Sequence, residues 1–291
     1  MSITAAMVKE LRERTGSGMM ECKKALVKSN GDLDAAIEQM RKSGLAKADK
    51  KSGRTAAEGI VGIKISDDEK TAVIVDVNSE TVFVAKGDDF ITFVDNVAAA
   101  LLAAGTIETE EQLLALEING ATIEHTRREL IAKLGENIAI RRFHKYSSEG
   151  GVAGYLHGNR IGVIVDLAKA DAELGKDVAM HVAASKPICV NVDQVDPVLV
   201  EKEKEIFTAQ ALESGKPEAI IEKMITGRIK KYLAEVTLEG QAFIKDPDVT
   251  VGKLIASKDN SVVNFCRFEV GEGIEKKEEN FAEEVMAQVR A

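Results

Sequence analysis

The sequence predicts an α+β protein with a three-helix N-terminal head, a two-part core with antiparallel sheets, a protruding helical-hairpin arm and a C-terminal helix. Three observations predict it. Apolar residues recur at helical spacing over residues 1–45. The period changes to that of strands at Gly59. A hairpin followed by a helix then occurs twice.

In the head, Ile3, Met7, Val8 and Leu11 mark the apolar face of a first helix that Gly16 stops. Met19, Met20, Ala25 and Leu26 mark a second, ending at Asn30-Gly31. Asp32 caps a third, in which Leu33, Ala36, Ile37 and Met40 recur before Gly44. Helices this short bury little apolar surface, so the head is a small module. The basic segment KADKKSGR that follows reads as a solvated connector within a linker over 46–58, because it lacks the interleaved aromatics of a nucleic-acid patch.

GIVGIKI and TAVIVDV then pair as strands across the turn SDDEK. Phe90, Phe93, Val94, Val97 and Leu101 run at helical spacing, and further helices follow near 109–117 and 121–134. A second unit begins with strands over 152–156 and 161–167 around His157-Gly158-Asn159-Arg160, then a helix over about 172–185. AVIVDV and GVIVDL nearly match, and each is the second strand of its hairpin. Two related halves account for this; so does the shared Val and Ile richness of buried strands. The halves are placed at 59–140 and 141–270, with an arm over about 188–227 broken at Ser214-Gly215-Lys216-Pro217. A last strand over 262–270 leads into a helical module over 271–291.

With 291 residues the chain holds two or three domains. Hydrophobic residues make up 45% but aromatics only 4%, so aliphatic side chains fill the cores. A net charge of -9 argues against broad contact with nucleic-acid phosphates. Cys22, Cys189 and Cys266 are scattered, as in a reducing cytosol. No apolar run is long enough to span a membrane, and the N-terminal residues do not read as a secretory signal, so a cytoplasmic protein is expected. Catalytic signatures are missing. There is no GxxxxGK[ST], HExxH or GxSxG, and GEGIEK reads as a turn rather than a dinucleotide loop. The four histidines, His125, His144, His157 and His181, have no metal-ligand spacing. No cofactor, no metal and no enzymatic activity are expected.

Six segments carry a family resemblance: RTGSGMMECKKAL (14–26), NSETVFVAKGDDF (78–90), GENIAIRR (135–142), LHGNRIGVIV (156–165), HVAASKP (181–187) and FEVGEGIEK (268–276). In this order they resemble the bacterial elongation factor Ts family, over almost the whole chain. The resemblance implies a guanine-nucleotide exchange factor that binds elongation factor Tu in its GDP form and promotes GDP release. It implies no cofactor and no nucleotide contact of its own. Self-association is left open.

The same resemblance assigns the site. Thr81-Val82-Phe83-Val84-Ala85 matches the family's TDFVA motif, and Phe83 matches its intruding aromatic. Read from the residues alone, Phe83 is a core side chain ending a strand. Val82 stands where the family usually has Asp, which puts direct displacement of magnesium by charge in doubt and shifts the load to Phe83. Met19 and Met20 match the head's partner-contacting region, although residue type alone also fits core positions. His157 matches the family's turn histidine. Gln241-Ala242-Phe243 replaces the more usual Gln-Pro-Phe. The alternative function is a ubiquitin-associated-like interaction module with a non-catalytic α+β body.

Overall fold

The computed structural model describes residues 3–213 and 217–275. The C-terminal helical module expected over 271–291 falls mainly outside them; residues 271–273 form a turn.

The head is built from α1 (Ala5–Thr15), α2 (Met19–Lys28) and α3 (Leu33–Lys51). Thr4 caps α1 by accepting from the Met7 N–H at 3.3 Å, and Asp32 caps α3 by accepting from the Ala35 N–H at 3.0 Å. Gly16 closes α1 with φ +66°, a left-handed value that glycine takes without strain. Leu11, Cys22, Leu26 and Ala36 are fully buried between the three helices.

The third helix does not stop at Gly44, and the linker expected over 46–58 is corrected accordingly. It continues to Lys51 and packs on α7 (Ile123–Leu134). A Cβ at Gly44 would lie 2.9 Å from the Ala132 Cβ, so this glycine allows two helices to touch rather than ending one. Arg41 pairs with Glu129 at 3.2 Å, and the Lys51 ammonium donates to the Gly135 carbonyl. Ala48 is buried in the core of the first half. One helix therefore serves both head and body.

The first half contains β1 (Glu58–Ile65), β2 (Thr71–Ser79), α4 (Val82–Ala85), α5 (Asp88–Ala103), α6 (Glu110–Ala115), the short strands β3 (Glu117–Ile118) and β4 (Ala121–Thr122), α7 and β5 (Ile138–Ser147). Its sheet has the antiparallel order β1-β2-β5. A boundary at 140/141 would cut β5, so the half extends through Ser147. The mixed burial of IAIRRFHKYS on an edge strand hides it from a reading of hydrophobic pattern.

The second half contains β6 (Gly151–His157), β7 (Ile161–Leu167), α8 (Ala172–Ser185), α9 (Pro197–Leu212), α10 (Glu218–Val236), β8 (Ala242–Phe243), β9 (Asp246–Thr250), α11 (Val251–Ser257) and β10 (Val262–Glu269). Its sheet order is β10-β7-β6, again antiparallel with the second hairpin strand in the centre. The arm is α9 and α10, packed on each other and spanning 197–212 and 218–236 rather than 188–227; residues 214–216 of the expected break lie outside those described. Asp196 accepts from the Val198 N–H and Pro197 begins the helix, which sets the later start.

Alternation along the two central strands positions everything else. Val73, Val75 and Val77 of β2 face the α5 and α7 side. Val163, Val165 and Leu167 of β7 face α8. The opposite faces meet: Ala72 and Ile74 pack with Val61, Val152 and Ile164 between the sheets. Helices thus cover the outside of two stacked sheets, and the core is α+β. A Cβ at Gly162 would come 2.4 Å from Val61 Cγ1, so the sheets approach closely there. AVIVDV and GVIVDL occupy the same topological place, and both of their aspartates, Asp76 and Asp166, are buried.

Candidate functional site

Phe83 is 90% exposed, more than any other large hydrophobic side chain among the described residues. The core reading of this residue is therefore corrected. It sits on α4, a single helical turn between β2 and α5. Val82 beside it is 40% exposed, Val84 packs partly against the core of the first half, and Ala85 is buried in it. The turn is anchored through its second half and presents its first half to solvent.

What holds so short a helix is polar. Thr81 Oγ accepts from the Val84 N–H at 3.4 Å. The Glu136 carboxylate accepts from the Thr81 N–H at 2.9 Å and from its hydroxyl at 2.7 Å. In return Glu80 accepts from the Asn137 N–H at 2.6 Å and lies 3.5 Å from Arg54. Asn137 Nδ2 donates to the carbonyls of Ser52 and Arg54, tying the clasp to the end of α3. Glu80 is thus engaged in holding Asn137 and Arg54. Sequence reasoning singled out GENIAIRR as a match but assigned Glu136 and Asn137 no task.

His157 is exposed at the end of β6. Gly158 and Asn159, at φ +55° and +56°, are the central residues of the tight turn after it, which the Arg160 N–H closes on the His157 carbonyl. Tyr155 Oη lies 3.1 Å from His157 Nδ1. The turn sits at the same end of the stacked sheets as α4. The Asn159 carbonyl accepts from the Val61 N–H, and Arg160 pairs with Glu58 at 2.7 Å. Glu58 in turn faces Ser79, two residues before Thr81.

Met19 and Met20 begin α2 and are 60% and 63% exposed, so neither is a core residue. They adjoin a shallow apolar groove floored by Ile3 and Val8 and edged by Lys9, Arg12 and Lys23. The head's Gly16 corner lies under the stem of Lys133, whose ammonium pairs with Asp89 at 2.8 Å. Asp89 is in the first turn of α5, just beyond α4. These contacts link the head's corner, α4 and the His157 turn through adjoining elements. Among the described residues no hydrogen bond or ring contact joins Met19 or Met20, Phe83 and His157 directly.

The remaining histidines and cysteines have structural surroundings. His181 is fully buried; its Nδ1 accepts from the Ile244 N–H at 3.2 Å, so Nε2 donates to Gln241 Oε1 at 2.9 Å. Burial lowers its pKa, which keeps the ring neutral and the pair intact. HVAASKP and Gln241-Ala242-Phe243 thereby meet inside the second half, with the His181 and Phe243 rings 6.0 Å apart. Burial pushes the Cys266 thiol up to about 12 and raises that of Cys189. These two are poor nucleophiles. Among the described residues no three His, Cys, Asp or Glu side chains gather to hold a metal ion. No helix among them is long and apolar enough to cross a membrane.

The class defined here is a two-half α+β protein whose distinctive feature is an apolar side chain clasped in place on the surface. A family profile described as Elongation factor TS matches residues 80–272, from the Glu80 clasp to the end of the second sheet. The chain is 66% identical to elongation factor Ts of Methylococcus capsulatus over 293 residues, covering 100% of both. It is 61% identical to that of Alkalilimnicola ehrlichii, over 100% of this chain and 99% of the relative. It is 55% identical to that of Legionella pneumophila, over 99% of each. The chain belongs to the elongation factor Ts family and is a translation elongation factor.

Proposed function

We propose that this protein is a non-catalytic guanine-nucleotide exchange factor, and that it binds elongation factor Tu carrying GDP and promotes GDP release. The observation that carries this reading is the outward-facing Phe83 on a braced turn. An apolar ring held in water is unfavourable by itself, so its position makes sense in a complex. Burying a Phe side chain is worth about 1.5–3 kcal/mol.

Tight binding of a guanine nucleotide rests on phosphate contacts and a magnesium ion. A partner that prefers the nucleotide-free GTPase must weaken nucleotide binding by the same factor. In this reading Met19, Met20 and His157 contribute docking contacts. Phe83 inserts beside the phosphate and magnesium site, with Val84 and Ala85 seating it. Val82 has no charge with which to compete for magnesium, and Glu80 is already engaged with Asn137 and Arg54. Insertion of the ring is then the main agent. The chain contacts no nucleotide itself and acts where translation occurs, in the cytoplasm.

The test is release of a fluorescent GDP from elongation factor Tu, with and without this protein. Acceleration that rises and saturates with its concentration is expected; no acceleration would end the reading.

A further inference from the structure

We infer that Glu136 is a positioning residue for Phe83: its carboxylate holds α4 in the shape a partner meets. The inference rests on the exchange-factor reading above and adds the group that prepares the site. Four residues are too few for a helix to hold its own shape, because the first turn orders several residues for one hydrogen bond. An external brace is needed, and the structure contains one. Glu136 accepts two hydrogen bonds from Thr81, at 2.9 Å from the N–H and 2.7 Å from the hydroxyl. The same hydroxyl oxygen caps α4 at the Val84 N–H. Glu136 thus fixes the residue that fixes the turn.

The brace is itself anchored. Gly135, at φ +83°, turns the chain out of α7 so that Glu136 points back to Thr81. Lys51 at the end of α3 holds the Gly135 carbonyl. Glu80 and Asn137, just after β2 and just before β5, make the neighbouring reciprocal bond. Without Glu136, the turn carrying Phe83 would sample many orientations and would have to be ordered on docking, which lowers the efficiency of insertion. Met19, Met20 and His157 lie on other elements. Initial docking should therefore survive, and the loss should fall on the maximal rate rather than on half-saturation.

The experiment uses the full chain. It contains no Trp, so Phe83→Trp places a single fluorescent reporter on the turn. Adding Glu136→Ala should lower the anisotropy of that Trp well below the melting temperature. Glu136→Gln should largely restore it, since the amide keeps an oxygen for the Thr81 N–H and offers an N–H to the hydroxyl. With Phe83 in place, Glu136→Ala should cut the maximal rate of GDP release from elongation factor Tu about tenfold, or ~1.4 kcal/mol, with half-saturation changed less than about twofold. Glu136→Gln should recover most of the rate. Should Glu136→Ala not fold, Thr81→Val, which at constant size removes both the hydroxyl's bond to Glu136 and its cap on the Val84 N–H, should give a change of the same kind. Unchanged anisotropy and rate in folded variants would overturn the inference. So would a fall in rate that Glu136→Gln does not relieve. If anisotropy responds but the parent chain does not accelerate release, the exchange reading fails while the positioning of Phe83 stands.

Discussion

Replacing Phe83 with alanine separates a surface wedge from a core side chain, because the two readings predict opposite energetics. A buried Phe→Ala change costs about 3–5 kcal/mol of folding stability. Phe83 is 90% exposed, so roughly a tenth of that, about 0.3–0.5 kcal/mol, is at stake in the free protein. At about 2–4 °C of melting temperature per kcal/mol for a chain of this order of size, the shift should stay below about 2 °C. The complex should suffer far more. If the ring is buried on the partner, its removal forfeits about 1.5–3 kcal/mol. That corresponds to roughly a tenfold to hundredfold slower catalysed release of GDP. Circular dichroism melting and stopped-flow release of fluorescent GDP measure the two quantities on the same preparation. A melting drop above about 5 °C would refute the packing argument, and undiminished release would refute the wedge.

Three further outcomes follow from the same geometry. Val82→Asp introduces, at a partly exposed position, the carboxylate that the family resemblance implies; under the exchange-factor proposal it should speed GDP release most when magnesium is abundant and lose its advantage when the ion is chelated. Equal rates at every magnesium concentration would dismiss a role for that charge. A chain beginning at Thr55 removes α3 from α7 and Ala48 from the body's core; its melting temperature should fall by at least about 5 °C, and unchanged melting would show that α3 does not support the body. Burial raises the Asp76 pKa from its usual 3.8, against the Arg142 guanidinium 3.0 Å away. The folded state therefore holds that proton more tightly than the unfolded state, and stability is lost as pH rises through the raised value. Asp76→Asn has no such loss, so its melting temperature relative to the parent should climb with pH above about 4 and then level off. A difference that shrinks with pH would contradict the burial argument.

Much of the fold is legible in the residues because it is local. Asp32 and Gly16 act where their chemistry predicts, since caps involve neighbours three or four positions away. The paired hairpins follow from strand alternation and from turn residues such as Gly158-Asn159. A glycine reading that failed and a strand that the hydrophobic pattern left unread share one reason. Gly44 looks like a stop in sequence but is a contact with Ala132, and β5 looks polar but pairs with β2 along its length. In each case the deciding partner lies far away in the chain.

The candidate site divides along the same line. Residue types and their order were enough to point to Val82, Phe83, Met19, Met20 and His157, through the family resemblance. They could not decide whether Phe83 faces the core or the solvent, because a strand end next to a helix start allows both. The tertiary structure decided it by spending the inward places on Val84 and Ala85. Nor could the sequence assign Glu80 and Glu136, two carboxylates among many, to holding the turn. Their bonds join residues 55 and 57 positions apart. No local propensity encodes such a pairing, which arises only when β2 and the end of α7 are brought side by side by the packing of the first half.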